Sequence, residues 1–145
     1  MQKILSLVIK ASQDFIRHTE EDLKDNAPVL NNFYESISNV YIPLLRMIEN
    51  LESDRIKYRF ALVLPPVLCN MLSDPILQDG YISWLEKRNA LGKAELRRNK
   101  TDQKVCEIIN STIEENKKLI SDFKDKYHKK LHYAPYHLKL SWYSP

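Results

Sequence analysis

Residues 57–64 read Lys-Tyr-Arg-Phe-Ala-Leu-Val-Leu and are followed by Pro65 and Pro66. The alternating start and the continuous apolar end of this stretch are typical of a buried strand in a parallel sheet. A second apolar run, residues 3–10, contains several β-branched side chains and predicts another buried strand. Between them, residues 28–53 repeat apolar positions at helical spacing. Strand, helix and strand in this order predict a parallel pair joined by a right-handed crossover.

The rest of the chain is predicted to be mainly helical. Residues 11–27 are predicted to form a long loop, and Pro43 predicts a kink or break near residues 40–42. Helices are predicted over 67–98, with Pro75 at a first helical position. Gly80 and Gly92 should weaken this region.

The last third of the chain predicts one long amphipathic helix over 99–131 and an aromatic tail over 132–145 without a clear period. The apolar stripe of that helix comprises Val105, Ile108, Ile109, Thr112, Ile113, Leu119, Ile120, Phe123 and Tyr127. The predicted fold class is therefore helix-rich α/β. Two parallel strands alone do not complete a domain, since both outer edges need a partner or a cover.

Composition excludes several classes of protein. The 145 residues are 43% hydrophobic and 28% charged, which fits one folded domain rather than a disordered chain. Two glycines argue against glycine-rich phosphate loops, and two cysteines are too few for a disulfide framework or a cysteine zinc site. No apolar run approaches the ~20 residues of a membrane span, and no signal cleavage site follows the first apolar run. We expect a cytoplasmic protein without a membrane segment.

Charge is unevenly distributed along the chain. Residues 19–54 carry eight acidic and two basic residues, whereas residues 117–139 carry seven lysines and two aspartates. Tyrosines interleave with the lysines of 117–139, a pattern that can hold a phosphate backbone. Because these lysines lie opposite an apolar stripe, a solvated helix face is the favoured interpretation, and nucleic acid is not an expected partner.

Histidine spacing raises the question of a metal site. His128 and His132 are four residues apart, which places two imidazoles on one helix face, and His137 lies five residues further on. Lysines flank the histidines and would repel a cation. We therefore predict no metal site and no cofactor.

Other reactive side chains have structural interpretations. Asp14 and Glu35 have no partner at a spacing that predicts acid–base catalysis, and Glu35 is expected on a helix surface. Trp84 and Trp142 could stack on sugar rings, but Trp84 lies at core spacing on a helix. Cys69 is expected to be a buried small hydrophobe.

Three separated segments resemble glycoside hydrolase family 57, specifically its branching-enzyme-like members. They are residues 32–45 (Asn-Phe-Tyr-Glu-Ser-Ile-Ser-Asn-Val-Tyr-Ile-Pro-Leu-Leu), 59–68 (Arg-Phe-Ala-Leu-Val-Leu-Pro-Pro-Val-Leu) and 71–78 (Met-Leu-Ser-Asp-Pro-Ile-Leu-Gln). The similarity keeps the same order over about residues 3–90. It implies that residues 1–98 are the N-terminal part of an incomplete seven-stranded (β/α) barrel. It also implies α-1,4-glucan substrates and a retaining mechanism, which needs two carboxyl groups about 5–5.5 Å apart and no metal.

This sequence departs from the family pattern at the residues that contact the substrate and carry out catalysis. The family's first motif, at the end of the first strand, has the form His-x-His-x-Pro and is commonly followed by Arg-His. Here Lys10, Ser12 and Asp14 occupy those three positions, and only Arg17 and His18 match the remainder. A charged lysine cannot accept a hydrogen bond, and serine is too short to replace histidine. The family's catalytic glutamate and aspartate lie further downstream, so no catalytic residue is assigned and the substrate contacts stay unassigned.

These features predict a truncated or degenerate α-glucan-active glycoside hydrolase or branching-enzyme fragment that is inactive by itself. Its expected partners are an α-glucan and a second chain, or another copy, that completes the barrel. The resemblance does not separate hydrolase from branching ancestry. The alternative is a small helical protein-interaction module without catalysis.

Overall fold

A computed structural model describes residues 8–12, 14–16, 27–56, 58 and 61–127. The described residues form two compact units, one up to Leu72 and one from Ser73 onward. In the first unit the elements are β1 (Val8–Lys10), α1 (Ala27–Ser36), a π turn (Ile37–Tyr41), α2 (Ile42–Ser53), β2 (Ala61–Val63) and α3 (Pro66–Ser73). In the second they are α4 (Pro75–Arg98), α5 (Gln103–Asp122) and a terminal π turn (Phe123–Tyr127).

The two strands pair in parallel, which confirms a helix-rich chain with two parallel strands. Val8, Ile9 and Lys10 lie opposite Ala61, Leu62 and Val63. The prediction that both strands are buried is wrong. Val8 is 66% exposed and Val63 is 47% exposed, while Ile9 is half-buried. A parallel strand needs cover on both faces, and the described residues leave the face of Val8 and Val63 open.

The predicted strands 3–10 and 57–64 are described only in part. Within 57–64, Ala61–Val63 form β2, and Tyr58 and Leu64 are irregular. Residues 3–7, 57, 59 and 60 lie outside the described part of the chain. Most of the predicted loop 11–27 and the whole tail 132–145 also lie outside it, as do His128, His132, His137 and Trp142.

Pro43 shapes the long helical segment of the first unit. The chain forms α1, then a π turn, and then α2, in which Pro43 occupies the first turn. In the π turn the Ile42 amide donates to the Ile37 carbonyl, five residues back. A proline inside an α-helix removes one hydrogen bond and its ring clashes with the carbonyl four residues earlier. The wider π turn accommodates that defect where the sequence predicts a kink or break.

Tyr41, the last residue of the π turn, should make the free energy of unfolding decrease at alkaline pH. Burial raises the pKa of its phenol above the usual value of 10.0. Protonated Tyr41 therefore stabilises the fold fully below that value, and the contribution is lost as pH rises through the folded-state pKa. We expect Tyr41→Phe to lose less stability than the wild type between about pH 8 and about pH 10.5, measured by urea unfolding. Equal losses in both proteins would contradict the assignment.

Helix α2 ends in a Schellman motif built without glycine. Asp54 is the C-cap, and Arg55 has a positive φ of 54°. The Ile56 amide donates to the Leu51 carbonyl over 2.9 Å, and the Arg55 amide donates to the Glu52 carbonyl over 3.1 Å. This left-handed conformation usually belongs to glycine, because a Cβ atom crowds the backbone there.

Replacing Arg55 with glycine should stabilise the protein. Relief of the left-handed strain gains about 1–2 kcal/mol, and the greater freedom of glycine in the unfolded chain costs about 0.5–1 kcal/mol. We expect Arg55→Gly to raise the free energy of unfolding by up to about 1 kcal/mol in urea titrations. Arg55→Ala is the control, because it removes the same side chain and keeps the strain. A gain of equal size in both variants would show that the side chain, not the backbone, carries the effect.

Side-chain caps set the start of both helices in the second unit. Asp74 Oδ1 accepts from the Ile76 amide at 2.8 Å and the Leu77 amide at 3.3 Å, and Pro75 occupies the first turn of α4. Asp102 Oδ1 accepts from the Val105 amide at 3.1 Å at the start of α5. These caps satisfy amides that have no partner within the helix. Both starts are therefore encoded locally.

Helices α4 and α5 pack against each other as a hairpin. A Cβ atom on Gly92 would lie 3.1 Å from Ile113 Cγ1, so the absence of a side chain lets the helices approach closely here. The predicted weak point at Gly92 is thus a packing position. The predicted stripe on α5 is wrong at Ile108, which is 67% exposed, and at Thr112, which is also exposed. Helix α4 covers only part of the apolar stripe that the helical spacing of the sequence predicts on α5.

Candidate functional site

The carboxyl ends of β1 and β2 lie at one edge of the strand pair. The Ala11 amide donates to the Val63 carbonyl over 3.0 Å, so the pairing continues one residue beyond Lys10. Lys10, Ser12 and Asp14, the three positions of the altered motif, are all exposed. Ligands of open α/β sheets bind at the carboxyl ends of the strands. The candidate site is this edge, formed by residues 10–12, Asp14, Leu64 and Pro65.

The candidate site is held between two fixed points. Ile16, two residues after Asp14, is fully buried and anchors the segment that leaves β1. On the other strand, only Leu64 and Pro65 separate β2 from α3, and the Cys69 amide donates to the Pro65 carbonyl over 3.2 Å. An ammonium, a hydroxyl and a carboxylate are therefore available to solvent in the segment that ends β1 and follows it. Such groups can donate to and accept from sugar hydroxyls.

Acid–base chemistry requires more than this edge offers. Residues 11, 12 and 14–16 follow β1, and residues 64 and 65 follow β2. Among these residues, Asp14 carries the one carboxylate. Glu35, the other acid singled out by the sequence, is exposed on α1, which agrees with the expected helix-surface position. Arg17 and His18 lie outside the described residues. A retaining glycosidase needs two carboxyl groups flanking the bond that breaks.

A second group of side chains that could bind a ligand lies on α4; the sequence singles out Trp84 but not its neighbours Tyr81 and Arg88. The Tyr81 and Trp84 rings stack with centroids 6.2 Å apart, and the Arg88 guanidinium lies 4.6 Å from the Trp84 ring centroid. The spacing of three and four residues along α4 could have indicated this row. Because the indole of Trp84 already contacts Tyr81 and Arg88, it acts here as a packing residue.

Metal and thiol chemistry find no support in the described part of the chain. No group of three or more histidine, cysteine, aspartate or glutamate residues there could hold a metal ion. Cys69 is half-buried rather than fully buried, which corrects the expectation of a core position. Cys106 is also half-buried, and its Sγ donates to the Asn99 carbonyl over 3.2 Å. Within the described residues, no helix has the length and apolar character needed to cross a bilayer.

The fold and its exposed strand ends define a helix-rich α/β chain with a parallel strand pair. The sequence of this chain is similar to that of a 1,4-alpha-glucan branching enzyme of Thermococcus kodakarensis, with 30% identity over 76 residues. The aligned segment covers 52% of this chain and 11% of the branching enzyme. No protein-family model matches the chain, and no solved structure matches it either. The similarity supports a relationship to glucan-branching enzymes over part of the chain.

Proposed function

We propose that this chain is a glucan-binding relative of the family 57 glycoside hydrolases that binds α-1,4-glucan without cleaving or transferring it. The observation that carries the proposal is the parallel strand pair, found in a chain that is similar to a branching enzyme over 76 residues. The strand ends would form the sugar-binding edge. The branching activity belongs to that enzyme, and the proposal takes from it only the class of ligand.

The chemistry of the edge supports binding. Lys10 donates hydrogen bonds, Asp14 accepts them, and Ser12 does both, which suits the alternating donors and acceptors of a glucan chain. All three are exposed, so their use requires no rearrangement of the core. The charges of Lys10 and Asp14 sum to zero, and a neutral polysaccharide would gain little from a net charge. Affinity is therefore expected to come from hydrogen bonds and contact area at this edge.

The same residues argue against turnover. Lys10 and Ser12 replace the histidines of the family motif, and neither reproduces a ring nitrogen at the same reach. Asp14 has no second carboxylate among the described strand ends with which to divide the roles of nucleophile and acid. Binding without catalysis is the function that this donor and acceptor set can perform.

Native electrophoresis through gels containing amylopectin tests the proposal. We expect the protein to be retarded by amylopectin and not by dextran, which has α-1,6 linkages. The double variant Lys10→Ala/Asp14→Asn should weaken retardation at least about tenfold in apparent Kd, because it removes two charge-assisted contacts. Glu115→Gln/Lys118→Ala makes the same kinds of change at exposed positions of α5 and should bind like the wild type.

Each outcome decides one part of the proposal. Equal mobility in both gels would show that the chain does not recognise α-1,4-glucan. Equal weakening by both double variants would place binding elsewhere on the chain. Release of reducing ends or formation of new branch points, persisting at constant specific activity through repurification, would show that the chain is catalytic after all.

A further inference from the structure

The turn between α4 and α5 presents an unneutralised cluster of cations. We call residues 93–104 the hairpin tip; it contains five basic and two acidic residues. Four of the cations are exposed and form no ion pair with a carboxylate of the described residues: Lys93, Arg97, Lys100 and Lys104. Positive charge at the tip is therefore exposed and is not paired with a carboxylate of the described residues.

The two acidic residues of the tip are already occupied. Glu95 Oε1 accepts from Arg98 Nη1 at 2.8 Å, and its Oε2 accepts from Asn99 Nδ2 at 3.2 Å. Asp102 caps α5 through the Val105 amide at 3.1 Å. Neither carboxylate can turn towards the remaining cations without breaking these bonds. The positive potential of the tip is thus a built feature of the turn.

Backbone hydrogen bonds also hold the turn of the tip. The Asp102 amide donates to the Asn99 carbonyl over 3.0 Å, and the Asn99 amide donates to the Glu95 carbonyl over 2.9 Å. Lys93 and Arg97 are four residues apart on α4, which places them on one helix face with Cβ atoms about 5–6 Å apart. A turn held by backbone hydrogen bonds reduces the part of the ordering cost of binding that comes from the backbone.

The other lysine-rich part of the hairpin differs. Lys117 pairs with Glu114 at 2.7 Å, and Lys124 lies 3.9 Å from Glu86. The described start of the basic region 117–139 is thus partly neutralised by neighbouring carboxylates. Among the described residues, the hairpin tip therefore has more unpaired positive charge than the start of region 117–139.

We propose that the hairpin tip binds the phosphate backbone of nucleic acid without sequence preference. A nucleic-acid strand carries a negative charge at every nucleotide, so closely spaced cations can contact several phosphates at once. Arginine suits phosphate because its guanidinium donates two parallel hydrogen bonds. Residues 93–104 contain no aromatic side chain that could stack on a base. The contact is therefore to the backbone, and it is independent of the glucan edge.

Fluorescence anisotropy with a fluorescein-labelled single-stranded oligonucleotide of about 20 nucleotides tests this proposal. Four phosphate contacts predict that log K falls with log salt concentration with a slope of about −3. Lys93→Gln/Arg97→Gln should weaken binding at least tenfold at low salt and reduce the slope to about −1.4. Glutamine keeps the helix propensity, and circular dichroism checks the fold.

The control is Lys118→Gln/Lys126→Gln, which removes two positive charges from exposed positions near the other end of α5. It should leave both affinity and slope close to the wild type. Equal loss in the two double variants would show attraction by net charge alone and overturn the proposal. Undetectable oligonucleotide binding at about 50 mM salt would overturn it as well. Equal binding of polyglutamate would assign the tip to an acidic protein instead.

Discussion

Phe123→Ala is expected to lower the free energy of unfolding of the second unit by about 3–5 kcal/mol. The Phe123 ring is fully buried at the end of α5 and meets the fully buried Tyr81 of α4 edge-on, with centroids 4.9 Å apart. Truncation removes the transfer energy of a whole ring and leaves a cavity that Tyr81 cannot fill. An edge-on aromatic pair adds about 0.5–1.5 kcal/mol beyond its buried area.

Trp84 provides the signal for this measurement. The chain has two tryptophans, so a Trp142→Phe background leaves the indole of Trp84, stacked on Tyr81, as the fluorescent reporter of unfolding in urea. Leu91→Ala on α4 is the matched control, because Leu91 is 66% exposed and its truncation should change stability by less than about 0.5 kcal/mol. A loss below about 1 kcal/mol for Phe123→Ala would mean that the two rings do not form the core of the hairpin.

Local signals locate the ends of the helices, and long-range contacts explain where the sequence misleads. Asp74 before Pro75 and Asp102 can be recognised as helix starts, because a cap acts over three residues. In the sequence, Gly92 suggests a weak point in the helix. In the structure, a side chain at this position would crowd Ile113 of the facing helix, so glycine fits the close packing. Arg55 gives no sign of its left-handed conformation, because the usual glycine is absent.

The candidate site divides in the same way. The altered motif at Lys10, Ser12 and Asp14 is visible in the sequence, because it immediately follows an apolar strand. The exposure of the strand pair is not visible in the sequence, since the apolar residues Val8 and Val63 suggest burial whether or not another element covers them. The hairpin tip is also hidden, because its surplus of positive charge depends on which carboxylates are engaged in caps and ion pairs.

Asn116→Ala is expected to cost the second unit about 1–2 kcal/mol, because it removes a part-buried hydrogen bond and leaves the half-buried amide of Asn89 without that partner. Asn116 is 6% exposed, and its Nδ2 donates to Asn89 Oδ1 over 3.0 Å, which joins α5 to α4 across 27 residues of sequence. A polar pair at a helix contact favours one register, because sliding either helix separates the two amides. We therefore expect the pair to favour the observed alignment as well as to add stability.

A double-mutant cycle separates this bond from simple loss of side-chain packing. Asn89→Ala in the Asn116→Ala background should cost less than in the wild type, with a coupling energy of about 0.5–3 kcal/mol. Asn110→Ala, at an exposed position of the same helix, is the control and should change stability by less than about 0.5 kcal/mol. Strict additivity of Asn89→Ala and Asn116→Ala would show that the amides do not act together. Coupling together with self-association of the Asn116→Ala variant in size-exclusion chromatography would support a role of the pair in fixing the register, because a slipped hairpin exposes apolar residues that promote self-association. Coupling with an unchanged oligomeric state would show that the pair adds stability without fixing the register.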